Sequence, residues 1–600
     1  MRIVIDMQGA QLSTQSHQSN VSHLLKSLFQ QANNHTFYLV LNGSTSSSID
    51  AILSDCHGLI PRSNIRLWYQ PIDNHADQKL SLWQKNTSQH IREALILRLS
   101  PDVVCTTASL ELVNQGLASG DDWLKERGVP VVNPFIQPSS SQDAGKTILD
   151  SLMKSVDSGI SKVNSKQESI NELALSKSIY QSLIAKISSQ AIGKPKDAEL
   201  ILCAKAVADT FPEKPVLPRL FVDISELAKQ DFKTGIQRVT RSVLLELLTD
   251  SPAGYQVEPV YAGFDKTGYR FARKFTQNML GQESALSEDE VIDPQPGDIF
   301  LGLDLQHHVA LIQSEHLQNM RRMGVSVYFV VYDLLPIHFP QFWPAADKVH
   351  VVHENWLKAI SKLDGAICIS NAVADELAIW IKDEKTSNPN FKISWFHLGA
   401  DLQNSMPSYG LPSDAEHVLK EIERRNSFLM VGTIEPRKGC LQVLEAFEQL
   451  WREGQDLNLV FVGKKGWMVD ALCARLEGHP ELGKRLFWLR GVSDEYLDRV
   501  YQACTCLIAA SEGEGFGLPL IEAAQHHLPI IARNLPVFKE VAGSSAYYFD
   551  GLSATDLSAA IQRWIVLSAE GKAPLSEGMQ WKTWKDSAKM IWGRIREMSH

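Results

Sequence analysis

Along the first 137 residues, short apolar β-prone runs alternate with longer stretches of helical period. Arg2–Met7, Phe37–Leu41, Ile65–Trp68, Val103–Thr106 and Val129–Asn133 read as strands, which predicts a doubly wound α/β domain over residues 1–137. The serine-rich Pro138-Ser139-Ser140-Ser141 breaks that rhythm. From Lys146 to about Thr210 the pattern is helical without strand signals, so residues 138–218 are expected to form a helical connector or small helical domain. Pro212, Pro215 and Pro218 mark its end, and Leu220-Phe221-Val222-Asp223 opens a second α/β unit. Val325–Tyr332 and Cys506–Ala510 continue the strand pattern towards the C-terminus.

The last of these runs hands over to Ser511-Glu512-Gly513-Glu514-Gly515-Phe516-Gly517-Leu518-Pro519-Leu520-Ile521-Glu522, a glycine-punctuated turn followed by a helix start. A helix N-terminus there presents N–H groups and a positive dipole end to an anion. Glu514 and Glu522 would face one cleft, since carboxylates accept well from vicinal hydroxyls. Alone, the same spacing also suits an ordinary glycine turn followed by a solvated helical Glu.

The surrounding residues add ordered signals. Phe428-Leu429-Met430-Val431-Gly432-Thr433-Ile434-Glu435-Pro436-Arg437-Lys438-Gly439 is a strand and turn ending in two cations. His527 to Gly543 and Tyr547-Tyr548-Phe549-Asp550 follow the acidic pair. Together these segments resemble the retaining glycosyltransferases of family 4, with their Glu-x7-Glu signature, from about Arg219 to the C-terminus. The resemblance implies a GT-B fold, two Rossmann-like doubly wound domains facing a cleft. It divides the rest of the chain into an acceptor domain over 219–398, a nucleotide-sugar donor domain over 399–575, and a last helix over 576–600 that crosses back to the first of the pair. It further implies that Arg437 and Lys438 stabilise a departing diphosphate, that Glu514 binds donor-sugar hydroxyls and that Glu522 binds the ribose. The backbone of Gly515, Phe516, Gly517 and Leu518 would lie near the phosphates, and that of Gly491 and Val492 near the base. Gly235 and Arg238 would close on the phosphates from the other domain.

Asp333 follows the strand Val325–Tyr332, at the sheet end where ligands sit in open α/β folds. The family commonly carries His-Asp here, whereas this chain has Tyr332-Asp333. His338 either supplies an imidazole from the loop or lies on the surface. Ser370 or Asn371 is expected to cap a helix, and Lys464 and Lys465 read as solvated turn charges.

An internal echo joins the two α/β openings. Met1-Arg2-Ile3-Val4-Ile5-Asp6 and Arg219-Leu220-Phe221-Val222-Asp223 resemble two copies of one first strand. The second copy continues into Lys233-Thr234-Gly235-Ile236-Gln237-Arg238, whereas the first has Ser13 to Ser22 there, without glycine or arginine. Backbone without glycine approaches an anion less closely. No Arg-Lys-Gly or Glu-x7-Glu segment of the family's kind precedes Arg219. The first unit is therefore expected to be a degenerate, non-catalytic glycosyltransferase N-domain, similar to one half of tandem polysaccharide mannosyltransferases; an unrelated α/β domain is the alternative.

Composition fits a large enzyme: 600 residues, 44% hydrophobic, suggest three or four domains. A net charge of −10 without long basic runs argues against nucleic acid as partner. The eight scattered cysteines show no metal-ligand or disulfide spacing, as in a reducing cytosol. The chain opens on a strand rather than a signal peptide, and no apolar run of about twenty residues could span a bilayer. Any membrane association is expected to be peripheral, at the cytoplasmic face of an inner membrane. Trp581, Trp584, Ala588, Ile591 and Ile595 form an apolar helical stripe suited to packing on the N-domain, while Lys582, Lys585, Lys589, Arg594 and Arg596 leave a membrane-surface role open.

The expected activity is retaining, metal-independent transfer of a sugar from a nucleoside diphosphate to a surface polysaccharide or lipid-linked oligosaccharide, with no cofactor. The resemblance points to mannose from GDP-mannose. Other nucleotide sugars, a sugar-nucleotide epimerase and a non-catalytic scaffold of a polysaccharide-assembly complex are the alternatives.

Overall fold

A computed structural model describes residues 1–31, 35–72, 80–108, 122–135, 144–160, 172–190, 195–211, 217–231, 234–265, 267–280, 289–401 and 408–599. The break expected at Pro138–Ser141, the boundary prolines 212 and 215, and Lys233 lie outside these residues. The chain forms two compact units: Met1–Arg219 with Asp293–Ile299 and Glu315–Ser326, and the remainder.

The first unit is built on β1 (Arg2–Asp6), β2 (Thr36–Asn42), β3 (Ile65–Trp68), β4 (Val103–Thr106) and β5 (Val131–Val132), in the order β3-β2-β1-β4-β5. Every pairing is parallel, with Ile3 opposite both Phe37 and Val103. Successive side chains of a strand point to opposite faces, so β1 feeds two cores. Ile3 and Ile5 pack with Leu25, Leu28, Ile148 and Leu152 on one face, from the helices Gln15–Gln31 and Ala144–Ile160. Val4 packs with Ile91, Ile179, Leu183 and Val207 on the other, from Leu82–Arg98, Glu172–Ser188 and Asp197–Thr210. The stretch expected to be a connector is therefore corrected: its helices complete both faces of this sheet. Their amphipathic pattern showed a buried stripe without showing what would cover it. Residues 293–299 and 315–326, inside the span expected to be an acceptor domain, also cluster with this unit.

The echo between the two openings extends to hydrogen bonds. Asp6 Oδ1 accepts from the Gln8 N–H at 3.1 Å, and Asp223 Oδ1 from the Ser225 N–H at 2.9 Å. The Ala10 N–H donates to Thr107 Oγ1 at 3.0 Å, as that of Leu227 does to Asp304 Oδ2 at 2.6 Å. Arg2 and Arg219 each donate their N–H to an aspartate before a neighbouring strand, Asp102 at 2.6 Å and Asp298 at 2.7 Å. In both, the strand runs into a short helix and then a long one.

The second unit carries two sheets. One contains β6 (Arg219–Asp223), β7 (Gln256–Tyr261), β8 (Arg270–Phe271), β9 (Ile299–Gly302), β10 (Ser326–Val331), β11 (Gly365–Cys368) and β12 (Lys392–Trp395) in the order β12-β11-β10-β9-β6-β7-β8, with β8 antiparallel at the edge. The other contains β13 (Asn426–Val431), β14 (Leu457–Val462), β15 (Leu486–Leu489), β16 (Cys506–Ala509), β17 (Ile530–Arg533) and β18 (Tyr547–Phe549) in the order β15-β14-β13-β16-β17-β18, all parallel. Strands such as Leu457–Val462 are buried throughout, as strands covered on both faces must be. The two sheets form the pair of doubly wound domains of a GT-B fold, and the loops at their strand ends meet.

The helix Trp584–Ser599 packs on β11, β12 and the helix Gly235–Thr249. Trp584, Ala588, Ile591 and Ile595 are buried there, but Trp581 precedes the helix and is 39% exposed, so it leaves the expected stripe. The helix start is fixed by the Trp584 N–H donating to Asp401 Oδ1 at 2.6 Å. Among the described residues, no helix is long and apolar enough to cross a membrane. All eight cysteines are free and buried.

Candidate active site

In the sheet β15-β14-β13-β16-β17-β18 the strand order reverses between β13 and β16. Loops leaving the carboxyl ends of those two strands diverge to opposite faces and open a crevice, the usual ligand position in such sheets. Both motifs singled out in the sequence leave from there.

After β13 the chain makes one tight turn, Pro436–Lys438, and enters the helix Cys440–Arg452 through Gly439 at φ 74°. A side chain there would suffer left-handed strain and collide with the Ala510 carbonyl oxygen after β16. Gly439 therefore brings the two loops together. The Glu512 N–H donates to the Arg437 carbonyl at 2.8 Å. Arg533, at the end of β17, clamps the other side: its Nε donates to the Ala510 and Ser511 carbonyls at 3.1 and 3.0 Å.

Between these loops lies a compact charge cluster. Lys438 Nζ donates to Glu514 Oε1, Arg437 Nη1 reaches Glu514 Oε2 at 3.0 Å, and Arg437 Nη2 reaches Glu435 Oε1 at 2.7 Å. Ser511 Oγ donates to Glu514 Oε1 at 2.7 Å. Burial opposes the charge on Glu514, but Lys438, Arg437 and the hydroxyl outweigh it and bring its pKa down to about 2. Burial pushes Glu435 up, against the pull of Arg437 and Lys438. Lys438, Ser511, Glu514 and Gly517 line a small pocket floored by Met430, Ile508 and Leu520.

The other domain meets this cluster at the end of β10. A Cβ on Gly515 would collide with the Tyr332 carbonyl oxygen, and Ser370 Oγ donates to the Gly515 carbonyl at 2.9 Å. Asp333, the next residue, is raised by burial and drawn back by the Arg437 charge. Its backbone is held from behind: His353 Nε2 lies 3.0 Å from the Asp333 carbonyl, and His353 Nδ1 lies 2.8 Å from His307 Nε2. A carbonyl only accepts, so His353 carries its proton on Nε2 and accepts from His307 Nε2–H. Burial pushes His307 down to about 3 and His353 to about 4, which keeps both neutral.

A second contact between the domains involves Glu522. Arg238 Nη1 lies 2.7 Å from its Oε1 and the Tyr501 hydroxyl donates to its Oε2 at 2.7 Å. Burial, then the Glu522 charge, pushes the Tyr501 phenol far up, so it remains a donor. Arg238 Nε and Nη2 are buried without a hydrogen-bond partner among the described residues. Nearby, Glu540 accepts the N–H groups of Asn371 and Ala372 at 2.7 and 2.8 Å and lies 2.8 Å from His397 Nε2. Ser370 caps that helix, as expected, by accepting from the Val373 N–H.

The structure thus gathers Glu514, Arg437, Lys438, Gly515, Gly517 and Asp333 at one place, with Arg238 and Glu522 paired in the same unit. Leu518 is the first residue of the helix Leu518–Gln525, with Gly517 as its cap. His338 ends the short helix Leu335–His338 and its Nε2 lies 3.5 Å from Glu376, which burial and then the nearby Asp333 charge push up to about 7. The Phe516 ring is buried against His397, centroids 5.6 Å apart, so only its backbone is available to a ligand. Gly491 and Val492 lie in the turn between β15 and the helix Asp494–Ala503. Gly235 starts its helix with open space beside it. Sequence reasoning missed Glu435, Ser511, His353 and Tyr501. The first two lie inside quoted motifs, whereas the others reach the site only through tertiary packing.

Residues 414–575 match the family of glycosyl transferases group 1. A serotype-specific mannosyltransferase WbdA of Escherichia coli is 44% identical over 377 residues, 62% of this chain and 44% of that protein. An O-antigen chain mannosyltransferase RfbU of Salmonella typhimurium is 24% identical over 220 residues, 36% of this chain and 55% of that protein. A sucrose-phosphate synthase of Thermosynechococcus elongatus is a solved structure with TM-score 0.44 and 16% identity, covering 64% of this chain and 99% of that one. The chain spans under half the length of the WbdA protein it matches.

Proposed function

We propose that this chain, whose residues 414–575 are a group 1 glycosyl transferase domain, transfers mannose from GDP-mannose to a growing surface polysaccharide or lipid-linked oligosaccharide, with retention of configuration. The observation that carries the reading is the cluster of Arg437, Lys438 and Glu514 at the strand-order reversal between β13 and β16. The curated relatives named mannosyltransferases support the choice of sugar.

In this reading the donor diphosphate takes the place that Glu514 and Glu435 hold on the two cations. Arg437 and Lys438 then stabilise the charge that develops on the diphosphate as the glycosidic bond breaks, aided by the N-terminus of the helix Leu518–Gln525. Glu514, released from Lys438, accepts from the donor sugar's hydroxyls. Glu522 accepts from the ribose once Arg238 leaves it, and the Arg238 Nε and Nη2 groups turn to phosphate. Asp333 lies on the acceptor side, its backbone fixed by His353. Domain closure about the Tyr332–Gly515 contact excludes water and limits donor hydrolysis. In this reading the transfer uses neither metal nor cofactor, and the enzyme reaches a membrane-linked acceptor as a peripheral protein from the cytoplasmic side.

A panel of nucleotide sugars, with and without a lipid-linked oligosaccharide acceptor, tests this. Acceptor-dependent release of GDP from GDP-mannose is expected. Release of an altered free sugar without acceptor would favour an epimerase, and no turnover with any donor would leave a scaffold.

A further inference from the structure

Two tryptophans stand together outside the charge cluster, one from each domain of the second unit. The Trp343 and Trp467 rings are stacked, with centroids 6.4 Å apart and planes at 25°, and both side chains are partly exposed. The one polar atom of the Trp467 ring is already used, its Nε1–H donating to the Phe342 carbonyl at 2.7 Å. What the ring offers to solvent is therefore carbon surface. Met468, the next residue, adopts φ 55°, a left-handed conformation that costs a non-glycine residue energy unless its surroundings enforce it.

Both rings are tied to the proposed site. The Gly466 N–H donates to the Ile434 carbonyl at 2.9 Å and the Ile434 N–H to that of Lys464 at 2.9 Å, so Trp467 extends from the segment whose Glu435 holds Arg437. On the other side, Trp343 ends the loop whose Leu335 and Phe339 pack on Gly513, beside Glu514. That same loop carries His338, paired with Glu376. Exposed indole carbon surface is what the C–H faces of pyranose rings stack on.

The geometry points to Trp343 and Trp467 as a platform for the acceptor glycan, holding the sugar units that lie beyond the one receiving the transferred residue. The inference rests on the proposed glycosyl transfer and adds the site that grips the chain being extended.

The test uses the full chain with GDP-mannose as donor and α-linked mannose oligosaccharides of graded length as acceptors. Trp343→Ala and Trp467→Ala should each raise the acceptor KM about tenfold, ~1.4 kcal/mol of lost binding, with the loss growing with acceptor length. Acceptor-independent GDP release should stay within about twofold of the unaltered protein, and Trp467→Phe should recover most of the affinity. An unchanged acceptor KM overturns the inference. So does an equal fall in acceptor-independent release and transfer, which would make the pair a contact between domains and nothing more. An unaltered chain that turns over no nucleotide sugar removes the functional reading and the platform together, whereas active transfer with unaffected variants removes the platform alone.

Discussion

Glu514 has two cations and a hydroxyl on one carboxylate, so its ionisation is tied to the stability of the fold. Its pKa falls from 4.5 to about 2 on folding. A depressed carboxyl contributes stability that is complete above the unfolded value and is lost as pH falls through the folded one. The urea midpoint should therefore drop between about pH 4.5 and 2, and Glu514→Gln should flatten that segment; an equally steep fall in the variant would show that Glu514 is not the coupled group. His307 and His353 act with the same sign higher up, since they are neutral in the fold and protonate below about pH 6.5 when unfolded. Glu514, Arg437 and Lys438 were singled out in the sequence because several ordered motifs around them resemble one family; the glycine turn and its spacing alone also suited a solvated loop. Glu435 and Ser511 sat within the quoted motifs but carried no distinguishing spacing. His353 was illegible because it reaches Asp333 from another helix, a contact made by packing alone.

At the scale of elements, the site depends on loops that meet closely. Gly515 sits against the Tyr332 carbonyl where no Cβ fits, so Gly515→Ala should push the two domains apart. A displacement of about 1 Å at a reacting centre costs on the order of 10²-fold in rate. The expected result is a fall of that order in kcat, with GDP-mannose affinity measured by calorimetry changed far less. Full kcat in this variant would show that closure at Tyr332 is not needed. The strands and the helix starts were legible from apolar runs and turn residues, and Ser370 was rightly read as a cap. What the pattern could not carry was partnership. The helices within 144–210 looked like a connector because amphipathicity reveals a buried stripe, and only the sheet of the first unit shows what buries it.

Across the whole molecule, the two openings share a hydrogen-bond scheme, and in the second unit the Asp304 N–H donates to the Asp223 carbonyl at 3.1 Å. In the first unit the ends of β1 and β4 are stitched to each other: Thr107 Oγ1 donates to the Asp6 carbonyl at 2.9 Å, and a Cβ on Gly9 would strike the Ala108 backbone. Arg92 is spent on Asp6 and Gln8, at 2.7 and 2.6 Å. Arg92→Ala should strand the buried Asp6 charge and destabilise the protein by about 3–5 kcal/mol, seen as a lower thermal midpoint. GDP release per folded molecule should not change; a proportionate loss of turnover would place chemistry in the first unit.

The central claim is that one site, built on Lys438, Arg437 and Glu514, performs the transfer. Its most direct measurement is GDP release from GDP-mannose by the unaltered chain and by Lys438→Ala under the same conditions. Loss of the cation that faces the departing diphosphate should lower turnover by about 10²-fold or more, and equal turnover in the two proteins would contradict the assignment.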